Sequence, residues 1–579
     1  MFGLPQTAPG DTSLDRLLHA WQGRFTLGLS PTSLMLAYLD WLTHLANAPG
    51  KQQALLQLGW AQALTMGHYA AMAALNPQLP PGEPEGPQDQ RFTGPEWERW
   101  PFNVLAEAFL LYQQWWQQAT TGVPGVSRHH EQVVAFGARQ LLDTIAPSNF
   151  LFTNPAILRM TVLQGGANLA QGTFNAIEDW QRAIAGKRPV GAEAYVPGRN
   201  VAVTPGKVVY RNQLIELIQY APTTSEVQAE PMLIIPAWIM KYYILDLSPH
   251  NSLIKYLVDH GHTVFAISWK NPGPDDRDLG MSDYIRLGVL AALEAVQTIV
   301  PGRRVHTTGY CLGGTLLTIV AAALARDNDD RLQSLTLFAA QTDFKDAGEL
   351  TLFIDESQVA YLKDIMWTQG YLDSSQMAGA FQLLRSQDLI WSRLVREYML
   401  GRREPMNDLM AWNADGTRLP YRMHSEYLIH FFLHNDLFEG RYRVDGRPIA
   451  LSDIRAPMFV VATRKDHVSP WRSVYKLMLL EDTEMTFVLT SGGHNAGIIS
   501  EPGHPNRSYQ IVTHHATEKY IDPETWQATM PTRPGSWWPA WIEWLDERSS
   551  GLVPPPPMGA PEQGYPPLAE APGSYVFET

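Results

Sequence analysis

The spacing of apolar and polar residues changes near residue 201 and divides the chain into two parts. Before that point, apolar residues recur at helical spacing over long stretches, which predicts a mainly helical N-terminal domain over residues 1–200. After it, short β-type runs alternate with helical stretches, which predicts an α/β domain over residues 201–550. The final residues, 551–579, are rich in Pro and are predicted to form a tail.

The first strong helical signal begins at Ser30 and Pro31, which are typical of an N-cap and a first helical turn. A break at residues 47–50 predicts that a second helix follows. Residues 76–97 are rich in Pro and Gly and are predicted to be a linker or a surface arm. Helical texture returns at residues 98–190. In the first helix, one face carries the apolar residues Leu34, Met35, Tyr38, Trp41, Leu42 and Leu45.

Short apolar runs predict the strands of the α/β domain. Between two of them, Ser248 and Pro249 predict the start of a helix that runs to about His260 and ends at Gly261. Strands that alternate with helices form a mostly parallel sheet covered on both faces. The predicted strands are residues 232–235, 263–269, 305–308, 335–339, 458–462 and 486–489.

A long segment between the predicted strands at 335–339 and 458–462 lacks strand patterns. Its sequence pattern is typical of helices, and it is rich in Tyr, Trp and Phe. We therefore predict a large insertion over about residues 344–440 that forms a cap at the end of the sheet.

The net charge and the cysteine content limit which classes of function the chain can have. The formal net charge is −14, which argues against a nucleic-acid partner because phosphate binding needs a basic surface. Cys311 is the single cysteine, so an intrachain disulfide is excluded and a cysteine-ligated metal site is not expected. This cysteine content is typical of a reducing compartment.

Targeting signals are not evident in the sequence. The N-terminus has no basic stretch followed by an apolar core, so we expect no secretory signal. The longest nearly apolar run, residues 313–325, is shorter than the roughly 20 residues that a membrane-spanning helix needs. We therefore expect a cytoplasmic protein without a transmembrane segment.

The sharpest motif is the stretch RVHTTGYCLGGT at residues 304–315. A predicted strand leads into Gly309-Tyr310-Cys311-Leu312-Gly313 and a helix follows at once, which is the nucleophile-elbow pattern with Cys in place of Ser. The start of the following helix favours a thiolate at Cys311 and presents the Leu312 N–H to an oxyanion. A buried structural cysteine is the alternative, and the motif favours a nucleophile.

The acid and base of an α/β-hydrolase site follow the nucleophile in the order Asp or Glu, then His, on loops after strands. Asp466 and His494 follow successive predicted strands in that order. His494 is predicted to be the general base, and Asp466 to orient its imidazole. A turn residue and an ordinary loop histidine are the structural alternatives. For the adjacent His467, a supporting role and simple packing are both open.

A second oxyanion donor is expected from the turn after the strand at residues 232–235. The Trp238 N–H is the candidate in this turn. An aromatic side chain that shields the site is the alternative role for Trp238.

Beyond the elbow, several blocks of sequence resemble the polyhydroxyalkanoate synthases, and the resemblance covers roughly residues 130–579. Residues 30–75 are similar to an N-terminal helical segment found in a subset of these synthases. The blocks that carry the resemblance are residues 200–205 (NVAVTP), 236–272, 309–315 (GYCLGGT), 411–420 (AWNADGTRLP), 465–471 (KDHVSPW), 491–497 (SGGHNAG), 535–545 (GSWWPAWIEWL) and 571–576 (APGSYV).

This resemblance implies an α/β-hydrolase fold with a helical cap, and an acyltransferase that polymerises (R)-3-hydroxyacyl-CoA into polyester. It implies that Cys311 carries the acyl chain, that His494 is the base and that Asp466 completes the site. Similarity to the single-subunit members favours short substrates such as 3-hydroxybutyryl-CoA. No cofactor and no metal are expected, since coenzyme A is part of the substrate and a product.

The same resemblance sets expectations for partners. The expected partners are the growing polyester chain, a second copy of the chain in a homodimer, and the surface of cytoplasmic polyhydroxyalkanoate granules. Two other functions are weighed against the synthase. Dienelactone hydrolases share the Gly-Tyr-Cys-Leu-Gly-Gly elbow but are small and lack a large cap. A non-catalytic granule-associated protein would not require Cys, Asp and His together.

Overall fold

The computed structural model describes residues 13–26, 28–80, 90–384, 386–480 and 482–579. Part of the predicted Pro/Gly-rich linker, residues 81–89, lies outside the described residues, and so do residues 1–12 of the N-terminus.

The described residues form two compact units. Among the described residues, one unit spans residues 22–190 and 378–405, and the other spans residues 13–21, 191–377 and 406–579. The predicted domain boundary near residue 200 and the predicted cap over about residues 344–440 remain predictions. Within the described ranges, no helix is long and apolar enough to cross a membrane.

The α-helices account for most of the regular structure before residue 200 and cover the sheet after it. Segments of π-helix at Tyr284–Leu290, Gln387–Trp391, Leu394–Met399 and Leu428–Leu433 extend several of them. The α-helices are α1 (Ser13–Thr26), α2 (Pro31–Ala46), α3 (Pro49–Leu75), α4 (Phe102–Thr120), α5 (Arg128–Ile145), α6 (Pro155–Leu163), α7 (Ala167–Ile184), α8 (Leu253–Asp259), α9 (Met281–Asp283), α10 (Ala291–Ile299), α11 (Leu312–Arg326), α12 (Glu356–Gln369), α13 (Ser374–Leu384), α14 (Asp408–Asn413), α15 (Tyr421–Tyr427), α16 (Trp471–Tyr475), α17 (Pro523–Thr529) and α18 (Trp538–Asp546).

An 11-stranded sheet forms the centre of the α/β unit. Its strand order is β10-β9-β8-β7-β6-β5-β3-β4-β2-β1-β11. In chain order the strands are β1 (Gly206–Arg211), β2 (Ile215–Tyr220), β3 (Met232–Ile235), β4 (Val264–Trp269), β5 (Val305–Tyr310), β6 (Leu332–Phe338), β7 (Met458–Thr463), β8 (Met485–Thr490), β9 (Ser508–His514), β10 (Arg533–Pro534) and β11 (Ala569–Glu570). Short two-stranded ladders pair Val227–Gln228 with Leu552–Val553, Tyr371–Leu372 with Leu419–Pro420, and Arg443–Val444 with Arg447–Pro448.

Strands β3 to β8 are parallel, and the strands outside them pair in antiparallel fashion. Every residue of β3, β4, β5, β7 and β8 is buried, as expected for parallel strands covered on both faces by helices. The arrangement places the carboxyl ends of β5, β7 and β8 at one edge of the sheet, which is where an α/β sheet holds its functional loops.

Helix α8 corrects one sequence prediction. The helix begins at Leu253, with Ser252 as the N-cap that accepts a hydrogen bond from the Lys255 N–H at 2.9 Å, and not at Ser248 and Pro249. Ser248 instead lies in a turn closed by the Asn251 side chain, whose Oδ1 accepts from the Ser248 N–H at 2.8 Å. Both serines have a side chain suited to capping, so local sequence did not distinguish them.

Helix α2 begins as predicted, with Ser30 as the N-cap and Pro31 in its first turn. Its apolar face is, however, largely exposed to solvent. The residues of α2 that are buried are Ser33, Ala37 and Trp41. The exposed fractions are 47% for Leu34, 60% for Met35, 51% for Tyr38 and 40% for Leu42.

The Trp-rich block at residues 535–545 forms part of the hydrophobic core that packs against the sheet. Trp537 and Trp541 are fully buried and contact Phe338 of β6 with ring centroids 5.1 Å apart. The Trp541 Nε1–H also donates to Thr336 Oγ1 at 2.9 Å. These buried aromatic residues therefore stabilise the fold.

The Pro-rich tail is packed along the edge of the sheet. Strand β11 pairs with β1. Beyond it, the N–H groups of Ser574 and Tyr575 donate to the buried carboxylate of Glu216 at 2.8 and 3.0 Å. The tail thus supplies partners to a charge that would otherwise be costly to bury.

Candidate active site

Cys311 lies at a sharp turn between strand β5 and helix α11. Its φ is 52° and its ψ is −122°, a conformation that L-residues rarely adopt and that costs about 1–3 kcal/mol. The turn aims the side chain at the carboxyl edge of the sheet, immediately before the first N–H groups of α11. This is the geometry that the elbow motif predicts.

Two glycines make this turn sterically feasible. A Cβ at Gly313 would lie 2.1 Å from the Ile235 carbonyl oxygen, and a Cβ at Gly309 would lie 2.4 Å from the Gly314 Cα. Real Cβ atoms do not approach so closely, so larger side chains would force β3, β5 and α11 apart. The close contact also brings the turn after β3 beside the start of α11.

His494 and Asp466 meet on the loops after β8 and β7. The His494 Nδ1–H donates to Asp466 Oδ2 at 2.8 Å. The other oxygen, Oδ1, accepts from the N–H groups of Val468 and Ser469 at 2.9 and 2.8 Å. The side chain of Asp466 is fully buried and that of His494 is 12% exposed, so the pair is held in a fixed geometry.

The electrostatics of this pair favour an imidazolium. Burial opposes the charged form of His494, but the Asp466 carboxylate and the Cys311 side chain outweigh it and raise the pKa of His494 well above its usual value. For Asp466, burial again opposes the charged form, but His494 and the two backbone N–H groups prevail and lower its pKa.

Cys311 interacts with the far side of the same imidazole. Because Nδ1 is bound to Asp466, Nε2 is the ring nitrogen that remains for the sulfur, and the nearby Cys311 side chain contributes to the raised pKa of His494. The structure therefore brings together the sulfur, the imidazole and the carboxylate in the order that nucleophilic catalysis uses.

Both predicted oxyanion donors lie close to the elbow. Leu312 is the first residue of α11, and Trp238 is in the turn after β3 that touches Gly313 through Pro236. Among the described residues, neither the Leu312 N–H nor the Trp238 N–H has a hydrogen-bond acceptor. Trp238 is 2% exposed, and its roles as an oxyanion donor and as a shield of the site both remain predictions.

His467 lies half-buried on the loop directly after Asp466, with its carbonyl oxygen against Gly348. Its supporting role remains a prediction. Asp343, another buried carboxylate after a strand of the sheet, binds Lys476 Nζ at 2.9 Å and Asn435 Nδ2 at 3.0 Å, and its partners are therefore different from those of Asp466.

Tyr310 and Asn495 belong to the site but were not predicted from the sequence. The Tyr310 hydroxyl donates to Asn495 Oδ1 at 2.5 Å, and its ring lies 5.7 Å from the ring of His494. Burial, with Cys311 and Asp466 nearby, raises the pKa of Tyr310 far above its usual value. Both residues sit beside predicted site residues in the motifs, so adjacency was the signal that could have found them.

Tyr427 is a third residue that was not predicted, and it lies at the end of helix α15. Burial and the nearby Cys311 sulfur raise its pKa well above its usual value, and its ring lies 6.2 Å from that of Trp238. Phe344 and Phe431 continue this aromatic layer, with ring centroids 6.0 and 5.6 Å from Tyr427. These aromatic rings thus form an apolar layer that begins near the cysteine.

Three family models match the chain. The N-terminus of poly-beta-hydroxybutyrate polymerase (PhaC) matches residues 88–257, and a second N-terminal model of the same polymerase matches residues 9–51. The α/β hydrolase fold matches residues 230–500, which confirms the predicted fold.

Curated relatives match over most of the chain. The poly(3-hydroxyalkanoate) polymerase of Methylorubrum extorquens is 40% identical over 85% of this chain and 81% of that protein. The poly(3-hydroxyalkanoate) polymerase subunit PhaC of Cupriavidus necator is 34% identical over 96% of this chain and 93% of that protein. Among solved structures, a monoacylglycerol lipase from Paleococcus ferrophilus has 12% identity and a TM-score of 0.31, covering 58% of this chain and 99% of that chain.

Proposed function

Because the chain belongs to the family of the poly(3-hydroxyalkanoate) polymerases, we propose that it polymerises (R)-3-hydroxyacyl-CoA with Cys311 and His494 as catalytic residues. Asp466 positions His494. The observation that carries the proposal is the hydrogen-bonded His494–Asp466 pair next to a cysteine in a strained elbow. The function is that of an acyltransferase, as the names of these relatives imply.

In the first half-reaction, the resting site is a Cys311 thiolate beside a His494 imidazolium, as the raised pKa of His494 favours. The sulfur attacks the thioester carbonyl, and the Leu312 and Trp238 N–H groups stabilise the oxyanion. The carbon–sulfur bond to CoA breaks, and the imidazolium gives its proton to the departing CoA sulfur. An acyl-Cys311 thioester and a neutral His494 remain.

In the second half-reaction, neutral His494 accepts the proton of a 3-hydroxyl group from another acyl unit or chain end. The oxygen attacks the acyl-Cys311 carbonyl, an ester bond forms, and the Cys311 thiolate leaves. His494 now carries the proton again, so the starting ion pair is restored. Asp466 holds the imidazole in one orientation and stabilises its charged form throughout.

A polymerase must keep water from resolving the acyl-Cys311 intermediate. The aromatic layer of Phe344, Tyr427 and Phe431 supports this requirement, because Tyr427 lies near a cysteine that is only 7% exposed. Apolar rings also suit the methylene-rich backbone of a polyester.

The ratio of polymer to free acid among the products tests this function. We expect purified protein given (R)-3-hydroxybutyryl-CoA to release CoA and form insoluble polyester, with free 3-hydroxybutyrate as a minor product. CoA release, free acid and precipitated polymer should be measured in the same sample. A parallel Cys311→Ala sample corrects for spontaneous thioester hydrolysis.

Two outcomes would count against the proposal. Equal amounts of acid and CoA without polymer would favour a cysteine hydrolase of the dienelactone hydrolase type. No CoA release at all would favour a non-catalytic granule protein. The preference for short acyl groups rests on the resemblance to single-subunit synthases, and (R)-3-hydroxyoctanoyl-CoA in the same assay tests it.

We further propose that helix α1 attaches the enzyme to the polyester granule. Its residues Leu14, Leu17 and Leu18 lie at helical spacing and are 78%, 57% and 50% exposed. The polar face is bound to α12, where His19 Nδ1 lies 2.7 Å from Asp364 Oδ2. An amphipathic helix held by its polar face leaves its apolar face for a surface of low polarity.

Replacing Leu17 and Leu18 together with Glu should weaken partition onto isolated polyester particles by about tenfold, since exposed leucines lose their apolar contact. CoA release from soluble substrate should stay unchanged. Leu479→Glu is the matched control, because Leu479 is 53% exposed on another surface. Equal partition of all three proteins, measured by sedimentation with the particles, would rule out attachment through α1. Homodimer formation stays a prediction.

A further inference from the structure

Two histidines and one aspartate form a cluster outside the proposed catalytic residues. One possible ligand atom from each of His430, His434 and Asp436 lies within 4.8 Å of the other two. His430 Nδ1 is 2.8 Å from Asp436 Oδ2, and His434 Nδ1 is 3.8 Å from the same oxygen. The three side chains therefore converge on a common point.

The backbone explains why they converge. His430 lies in the π-helical segment Leu428–Leu433, and His434 ends that segment one turn later. Asn435 follows with a φ of 53°, which turns the chain back so that the Asp436 N–H donates to the His430 carbonyl oxygen at 2.7 Å. The buried side chain of Asn435 fixes the turn, because its Oδ1 accepts from the Phe344 N–H at 2.9 Å.

The distances suit a small transition-metal ion. Zinc binds imidazole nitrogen and carboxylate oxygen at about 2.0–2.2 Å, so tetrahedral ligand atoms lie about 3.3 Å apart. The two separations from Asp436 Oδ2, 2.8 Å to His430 Nδ1 and 3.8 Å to His434 Nδ1, lie on either side of that value. A small rotation of the exposed His434 ring would equalise them.

Arg441 holds the carboxylate in a suitable orientation. Its Nε donates to Asp436 Oδ1 at 3.0 Å and its Nη2 donates to the His434 carbonyl oxygen at 2.6 Å, which leaves Asp436 Oδ2 facing the histidines. A residue that binds a metal ligand without touching the metal, as Arg441 would here, holds that ligand in the orientation that binding requires. Glu439, 3.6 Å from Arg441, offsets the guanidinium charge. The histidine side chains are 43% and 55% exposed, so solvent can supply a fourth ligand.

We propose that His430, His434 and Asp436 bind one divalent transition-metal ion, with Zn²⁺ as the best fit. Two imidazoles and one carboxylate favour zinc and its neighbours over Mg²⁺ or Ca²⁺, which prefer oxygen ligands. The ion would join the end of the π-helical segment to the turn after it. Phe431 of that segment belongs to the aromatic layer near Cys311, so binding would stabilise this part of the cap.

Calorimetric titration of the metal-free full chain with Zn²⁺ tests the site. We expect saturable binding of a single ion. Cys311 and His494 are a competing location, and Co²⁺ separates the two. Cobalt on nitrogen and oxygen ligands gives only weak visible bands, whereas a cobalt–thiolate bond adds strong near-ultraviolet absorption. Strong absorption in the near ultraviolet would place the ion at Cys311 and overturn the proposal.

His430→Gln and His434→Gln should each weaken Zn²⁺ binding by at least about tenfold. His515→Gln is the matched control, since His515 is also exposed beside a carboxylate, 3.4 Å from Glu484. Zn²⁺ should raise the melting temperature of the parent and of His515→Gln but not that of His434→Gln, and the metal-free proteins should melt alike. Absence of saturable binding, or equal binding by His434→Gln, would refute the site.

Discussion

Replacing Cys311 with Ala is expected to reduce CoA release by about 10⁵-fold or more, because no other group at the elbow can carry the acyl chain. The fold should survive, since the change removes one sulfur atom and leaves Gly309 and Gly313, which the turn needs. The rate of CoA release from (R)-3-hydroxybutyryl-CoA and the far-ultraviolet circular dichroism spectrum should be measured together.

Cys311→Ser is the matched variant for this test. It keeps the side-chain shape at the same strained backbone but replaces the thiolate with a weaker nucleophile, so it should also lose most activity. Substantial turnover by the Ala variant with a native spectrum would remove Cys311 from the nucleophile role.

Replacing Asp466 with Asn is expected to slow polymerisation by about 10³-fold, which is less than the loss of Cys311, because a positioning residue is one part of the unit. The Asp466 carboxylate raises the pKa of His494, so its removal should lower that pKa. Loss of the imidazolium should then occur at lower pH, and the alkaline limb of the kcat/KM profile should move toward acid.

Asp343→Asn is the control for Asp466→Asn. Asp343 is also a buried carboxylate after a strand, but it binds Lys476 and Asn435. Its variant should lose stability and keep the alkaline limb of the parent. Full activity in Asp466→Asn, with a large loss in Asp343→Asn, would show that Asp343, and not Asp466, positions His494.

The sequence predicted the centre of the sheet better than its edges. Strand β3 was predicted at residues 232–235, as observed, and the other central strands were predicted to within three residues at each end. These strands are continuous apolar runs because both faces are buried. Edge strands such as β9, with exposed and half-buried positions, lack that signal and were missed.

Some residues of the candidate site could likewise be predicted from the sequence, and others could not. The positions of Cys311, Asp466 and His494 follow from motifs and from their order after strands, and the hydrogen bond between the last two is present. Tyr427 could not be placed beside Cys311 from sequence, since a cap helix reaches the elbow only through tertiary packing. The solvent exposure of the apolar face of α2 could not be predicted either, because periodicity identifies an apolar face but not what packs against it.

The position of β11 bears on how the protein is made. Ser574 binds Glu216 across 358 residues of sequence, and β11 covers the outer edge of β1. The ribosome releases β11 and Ser574 after the other strands of the sheet have emerged. Until then the nascent chain carries an open strand edge on β1, the kind of surface that pairs with other chains. The sheet is therefore completed only once residues 569–574 have left the ribosome.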